Sequence, residues 1–223
     1  MDKAKTEGRN RKEVESYAKF HYDPKIEAIV IPKSKLEELK KWRQEFYNLK
    51  LIGSDQKGTG FGNVSMRLEE GSNDFIITAT RTGGLPSLTE KDFVVVTDFN
   101  YQENLAFIKR EKGSNAEPSS ETPTHHRFYI EQQRINGVIH VHNKAFWEHL
   151  LHKDKVPATA EGVEYGTVAM AMEISRLLKD PSVWKRQMIV MAGHEGGIIS
   201  FGTSLDEAGT VLMKEFGRFK QRA

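Results

Sequence analysis

Between Gly58 and Lys109 the chain reads as four short apolar runs, Phe61 to Leu68, Phe75 to Ala79, Phe93 to Phe99 and Leu105 to Lys109, separated by glycine, asparagine and proline. Runs of that length bounded by turn formers are strands, and their close succession predicts a mostly antiparallel sheet. Helical spacing frames them. Ahead lie Leu36, Leu39, Trp42, Phe46 and Leu49 on one face, with Ser34-Lys35-Leu36-Glu37 reading as a capping box. Behind, helix patterns at about 122 to 134, 144 to 152 and 165 to 179 alternate with apolar strands ending in His142 and His194 and with Ile198 to Phe201. Ser204-Leu205-Asp206-Glu207 caps a last helix whose buried stripe is Leu205, Ala208, Leu212, Phe216 and Phe219. No internal repeat is visible, so the pattern predicts a sheet covered by helices.

A chain of 223 residues suits one such domain with a large core. Residues 1 to 24 are polar with scattered aromatics and read as a mobile or partner-docked arm, leaving 25 to 223 as the folded unit. The 33 basic and 31 acidic residues nearly balance, which disfavours nucleic acid as a partner; the basic excess sits in the first dozen residues. No apolar run approaches the roughly 20 residues needed to cross a bilayer, and the N-terminus is polar where a signal peptide would be greasy. A soluble cytoplasmic protein with no membrane partner is expected. There is no cysteine, so any metal must be held by histidine, carboxylate or water.

Metal binding is what the strand Val138-Ile139-His140-Val141-His142 suggests. Side chains alternate along a strand, so both imidazoles point one way while Ile139 and Val141 point into packing. Two such histidines can grip one divalent cation. A third nitrogen would complete a face and leave coordination open, and His194 closes another apolar strand, Met188 to Ala192.

Six motifs then fall in order between about Leu36 and Phe216: Gly62-Asn63-Val64-Ser65, Thr82-Gly83, Ser119-Ser120-Glu121 with His125 four positions on, His140-Val141-His142, Tyr165-Gly166-Thr167 and Gly202-Thr203-Ser204-Leu205-Asp206-Glu207-Ala208. With these the chain resembles the class II aldolase and adducin-head family. The resemblance implies a three-layer α/β/α sandwich with a mainly antiparallel central sheet, zinc or another divalent ion on three histidines, a sugar-phosphate or related substrate, and a homo-oligomer, usually a tetramer. By the same resemblance Asn63, Thr82, Gly83, Ser119 and Ser120 hold the substrate phosphate. Hydroxyls, a carboxamide and backbone N–H groups freed by glycine can wrap an anion without a lysine, though each motif alone also reads as a turn. Glu121 takes the family's acid/base role, for which burial must lift its pKa; taken alone it could simply open the following helix. His125 is expected beside the site, orienting a ligand or Glu121.

Two places depart from the family pattern. Family members usually read His-Gly at the third ligand, whereas this chain reads Gly193-His194-Glu195-Gly196-Gly197, so either His194, the favoured choice, or Glu195 completes the set. Between His142 and Tyr165 the family's aldolases carry a longer segment with a proton-donating tyrosine. Here the matching position is Glu161, with Tyr165 the other candidate donor. The implied chemistry is C–C cleavage through a metal-stabilised enediolate, with Glu121 moving the proton. Epimerisation and loss of water can use the same site. A non-catalytic assembly role like that of the adducin head is the alternative of a different class, against which His140, His142 and Glu121 together argue.

Overall fold

The computed structural model describes residues 19–222. Its strands are β1 (His21–Ala28), a small hairpin of β2 (Gly53–Ser54) and β3 (Gly60–Phe61), then β4 (Asn63–Arg67), β5 (Phe75–Thr78), β6 (Phe93–Asn100), β7 (Leu105–Arg110), β8 (Gly137–His142), β9 (Met188–Val190) and β10 (Gly197–Gly202). The helices are α1 (Lys33–Asn48), α2 (Thr122–Glu131), α3 (Lys144–Glu148), α4 (Val168–Leu177), α5 (Pro181–Arg186) and α6 (Leu205–Arg222). Eight strands form one sheet in the order β1-β7-β6-β5-β4-β8-β10-β9. All neighbours are antiparallel except β1 and β7, which run parallel.

Alternation along the strands feeds two cores. On one face Ile76, Val95, Ile139, Val141 and Ile198 join Leu39, Trp42 and Phe46 of α1, Phe146 of α3, and Leu212 and Phe216 of α6. On the other, Ile77, Val94, Val138, Ile199 and Phe201 join Phe128 and Tyr129 of α2 and Met170, Ile174 and Leu177 of α4. The α/β/α sandwich follows from both faces being apolar. Among the described residues no helix is long and apolar enough to cross a membrane.

Several boundaries differ from the sequence expectation. The capping box at Ser34 does not form: α1 starts from Pro32, whose carbonyl accepts from Leu36 N–H at 3.1 Å, so Ser34 already lies inside the first turn. At α6 the expected cap is present. Ser204 Oγ accepts from Glu207 N–H at 3.0 Å, while the Glu207 carboxylate accepts from Thr203 N–H at 2.6 Å, one residue further back than a capping box requires. The helix expected over 144 to 152 is α3 continued by a π-helical turn, His149–Lys153. α5 was not anticipated; it is short and starts on Asp180, whose carboxylate accepts from Ser182 N–H at 2.8 Å. The arm expected over 1 to 24 lies outside the described residues as far as residue 18, but from His21 the chain is an edge strand paired with β7. Phe20 anchors it, 3% exposed and edge-on to Phe99 at 5.4 Å.

α1 and α6 pack closely because residue 209 is glycine: a Cβ there would sit 2.4 Å from the Trp42 indole. Alanine normally favours a helix over glycine by about 1 kcal/mol. Gly209→Ala is nevertheless expected to destabilise the fold by about 1–3 kcal/mol, because the indole is a rigid neighbour. Urea denaturation measures the sign directly.

Candidate active site

His140 and His142 share a face of β8 because they are two residues apart on one strand. Across the ladders His140 stands between Asn63 of β4 and Ile199 of β10, and His142 stands opposite Gly197. Only glycine fits at 197, where a Cβ would approach His194 Cδ2 to 2.8 Å and His140 Nε2 to 3.3 Å. The β9–β10 connection folds the third imidazole into this space. His194 N–H donates to the Met191 carbonyl at 3.0 Å, Gly197 N–H donates to the His194 carbonyl at 2.8 Å, and Gly196 completes the turn at φ +85°. One ligand nitrogen from each of His140, His142 and His194 then lies within 4.8 Å of the others.

These imidazoles are suited to a cation. Burial pushes the pKa of His142 down to about 3, helped by neighbouring His194, and that of His194 down to about 4, helped by Lys19. Burial and the adjacent histidines hold His140 well below the ordinary value as well. All three are therefore neutral near pH 7, the state in which imidazole is a ligand. Among the described residues neither ring nitrogen of His140 has a hydrogen-bond partner, although the residue is buried. The two unpartnered, buried nitrogens of His140, with the imidazoles of His142 and His194 beside them, fit a divalent ion with histidine preference, such as zinc. Glu195, the other donor considered for the third place, is exposed and ion-paired with Lys144 instead. It lies outside the cluster because it follows His194 in the turn and projects outward.

Glu121 occupies the N-cap of α2 and is 2% exposed, with no hydrogen bond to either carboxylate oxygen among the described residues. Burial lifts its pKa to about 7, with the Thr124 hydroxyl and the Lys19 charge pulling the other way. Its N–H donates to Ser119 Oγ at 3.3 Å, and the same oxygen accepts from Asn63 Nδ2 at 3.1 Å. Since Asn63 is registered with His140, this bond ties the Ser119–Glu121 turn to the histidine strand. The half-buried Ser120 packs its carbonyl on Gly166, where a Cβ would come within 2.7 Å. That contact delivers Tyr165, whose ring stacks on His194 with centroids 4.3 Å apart. Glu161 is exposed, and only its carbonyl approaches the loop, against Gly193.

Thr82 and Gly83 reach the site by another route. The Thr82 hydroxyl donates to the Ala79 carbonyl at 2.7 Å, and Gly83 is pressed on Gly53 and Phe61 so closely that a Cβ would lie 2.3 Å from the Gly53 carbonyl. Phe61 in turn rests against His142, ring centroids 5.5 Å apart. His125 is fully buried with Nδ1 2.7 Å from Ser65 Oγ, which is itself 2.7 Å from the Tyr129 hydroxyl. Its Nε2 has no partner. His126 faces away, 2.8 Å from the Tyr101 hydroxyl.

Two cations at this corner escaped the sequence reading. Lys19 lies 3.8 Å from the Tyr165 ring centroid, donates to the Tyr165 carbonyl at 3.1 Å and pairs with Glu164 at 2.5 Å. Arg43 donates from Nη2 to the carbonyls of Thr82 at 2.7 Å and Gly83 at 3.0 Å. Neither carries a local signal: Lys19 lies in the stretch read as an arm, and Arg43 looks like an ordinary charged position on an amphipathic helix.

The family model for the class II aldolase and adducin N-terminal domain matches residues 48–214, a span that takes in every one of these histidines and Glu121. The chain belongs to this family. Solved structures of similar fold include an L-fuculose 1-phosphate aldolase, 20% identical with a TM-score of 0.61 over 84% of this chain and 83% of that one. A sugar-phosphate aldolase from Thermotoga maritima is 16% identical with a TM-score of 0.59 over 82% of this chain and 91% of that one. An L-fuculose 1-phosphate aldolase from Glaciozyma antarctica PI12 is 18% identical with a TM-score of 0.55, covering 82% and 71%. No curated protein matches the chain by sequence. Likeness at this level of identity establishes the class II aldolase fold.

Zinc titration against a competing chelator is expected to give one ion per chain. His140→Ala, His142→Ala and His194→Ala should each weaken it by about 100-fold or more, and Glu195→Ala by less than about threefold. Equal losses at 194 and 195 would reopen the choice of third ligand.

Glu121 also makes a pH-dependent contribution to stability. Its folded pKa, about 7, lies above the ordinary 4.5, so between those values the metal-free folded protein keeps a proton that the unfolded chain releases. Its contribution to stability is thus fully present below about pH 4.5 and lost as pH rises through 7. Metal-free Glu121→Gln should accordingly gain about 1–3 kcal/mol on wild type between pH 4.5 and pH 8, read from denaturation curves at the two pH values.

Proposed function

We propose that this class II aldolase family member is a divalent-metal-dependent lyase, with zinc as the preferred ion, that breaks a C–C bond in a sugar phosphate or related polyol. What carries the reading is the pairing of three neutral, converging imidazoles with a buried carboxylate that has no hydrogen-bond partner and a pKa near 7. When bound, the ion supplies Lewis acidity that stabilises negative charge on substrate oxygens as the bond breaks. Glu121 takes the proton from a substrate hydroxyl or returns one to carbon, and a pKa near neutrality suits both directions. Asn63, Ser119, Ser120, Thr82 and Gly83 hold the anionic end of the substrate. Tyr165, stacked on His194, is the better-placed proton donor of the two considered, since Glu161 is exposed on this chain. His125, held by Ser65 and close enough to His140 to lower its pKa, has Nε2 free to orient a ligand or Glu121.

A purely structural role for the domain is disfavoured by the same residues. Leaving both Glu121 carboxylate oxygens, both His140 ring nitrogens and His125 Nε2 buried without partners among the described residues costs stability that an assembly module would have no reason to bear.

Incubating the zinc-loaded protein with ketose 1-phosphates should yield an aldehyde plus dihydroxyacetone phosphate, and cleavage of the unphosphorylated ketoses would give an aldehyde plus dihydroxyacetone. An isomer without fragments would make it an epimerase, and loss of water a dehydratase. Glu121→Gln should lower turnover by about 10²–10⁴-fold with zinc content unchanged. Turnover that survives this change would remove Glu121 from the chemistry.

A further inference from the structure

Arg43 is the one charge among the buried residues of α1, whose other buried positions are Leu36, Leu39, Trp42 and Phe46. It is 1% exposed and lies over the Tyr47 ring at 4.5 Å. Nη2 is satisfied by the Thr82 and Gly83 carbonyls, but Nε and Nη1 are buried with no hydrogen-bond partner among the described residues. Burial lowers its pKa while Tyr47 and Asp92 raise it, and a guanidinium remains charged through such shifts. Asp92, the carboxylate acting on it, is bound through Oδ2 to Thr89 N–H and Oγ1 and makes no hydrogen bond to the open donors, and a buried cation with open donors is costly unless something negative meets them.

The carbonyls that Arg43 grips show where that negative charge belongs. They are the oxygen ends of the peptide units whose nitrogen ends are Gly83 N–H and Gly84 N–H. A peptide group that accepts from a cation is polarised, and its N–H becomes a stronger donor. The positive charge is thereby passed to the edge of the Thr82–Gly83 turn, where glycine at 83 is enforced by contact with Gly53 and Phe61.

We propose that Arg43 is a specificity-determining residue that acts through this turn: it places a positive potential behind the cradle, so the substrate end held there is an oxyanion and not a neutral hydroxymethyl group. The proposal rests on the anion-binding role given above to Thr82 and Gly83, and it adds the source of the charge. Phosphate and carboxylate share the required chemistry.

The test titrates zinc-loaded full-length protein with inorganic phosphate, acetate and glycerol while following the Gly83 and Gly84 amide resonances. Both anions, or phosphate alone, should shift these amides, and glycerol should not; the stronger of the two anions names the end group. Arg43→Lys, which keeps the charge, should bind phosphate within about threefold of wild type. Arg43→Gln can still donate to the carbonyls but carries no charge, and should bind phosphate at least about tenfold more weakly. A folded, zinc-loaded Arg43→Gln protein with wild-type phosphate affinity would overturn the proposal. Should that variant not fold, the Arg43 Nε resonance of wild type decides: it should move with phosphate, and a stationary signal beside moving glycine amides overturns the role of Arg43 while leaving the cradle intact. Glycine amides unmoved by either anion would remove the cradle and the proposal together.

Discussion

The site depends on β8 being covered on both faces. Ile139 and Val141 are gripped by the α1–α3–α6 layer, so the strand cannot rotate or slip without exposing them. The residues between them must then face the α2–α4 layer, and at the end of the strand those residues are His140 and His142. The packing that fixes their direction also strips them of water. Desolvation keeps the rings neutral, and in doing so makes them ligands in waiting instead of surface cations.

The same low-dielectric corner acts in opposite senses on acids and bases. It drives imidazole pKa values down and the Glu121 carboxyl up to about 7, so near pH 7 the imidazoles are uncharged and the carboxyl is about half protonated before any ligand arrives. Buried groups separated in this way are a common mark of acid/base chemistry. Lys19 and Arg43 are the counterweights. One approaches from the segment before β1, ion-paired with Glu164, and the other from α1, held by backbone carbonyls that fix its position without cancelling its charge.

Much of the architecture was legible because periodicity reports burial. Two-residue alternation in Val138 to His142 and the spacing of Leu36, Leu39, Trp42 and Phe46 were sufficient for the strand and the helix, and β4 to β7 followed from their turn residues. Capping was less legible: Ser34 and Glu37 have the right spacing, yet Pro32 starts the helix first. The place of His194 beside His140 and His142 could be expected from strand ends, but its preference over Glu195 is decided by a turn whose direction depends on Gly196 and Gly197. Lys19 meets Tyr165 across 146 residues of chain, and no local pattern encodes such a contact. Arg43 was hidden for a different reason, since charge on a helix is ordinarily a mark of solvent.

β1 has one consequence that reaches beyond the sheet it borders. It is one of the sheet's two edge strands, paired among the described residues with β7 alone, and such edges open more readily than interior strands. Lys19 enters directly before it and rests on the ring that covers His194. Fraying at this margin would withdraw the lysine and unclamp the tyrosine while the interior ladders stayed zipped, making the segment before β1 a latch on the histidine cluster.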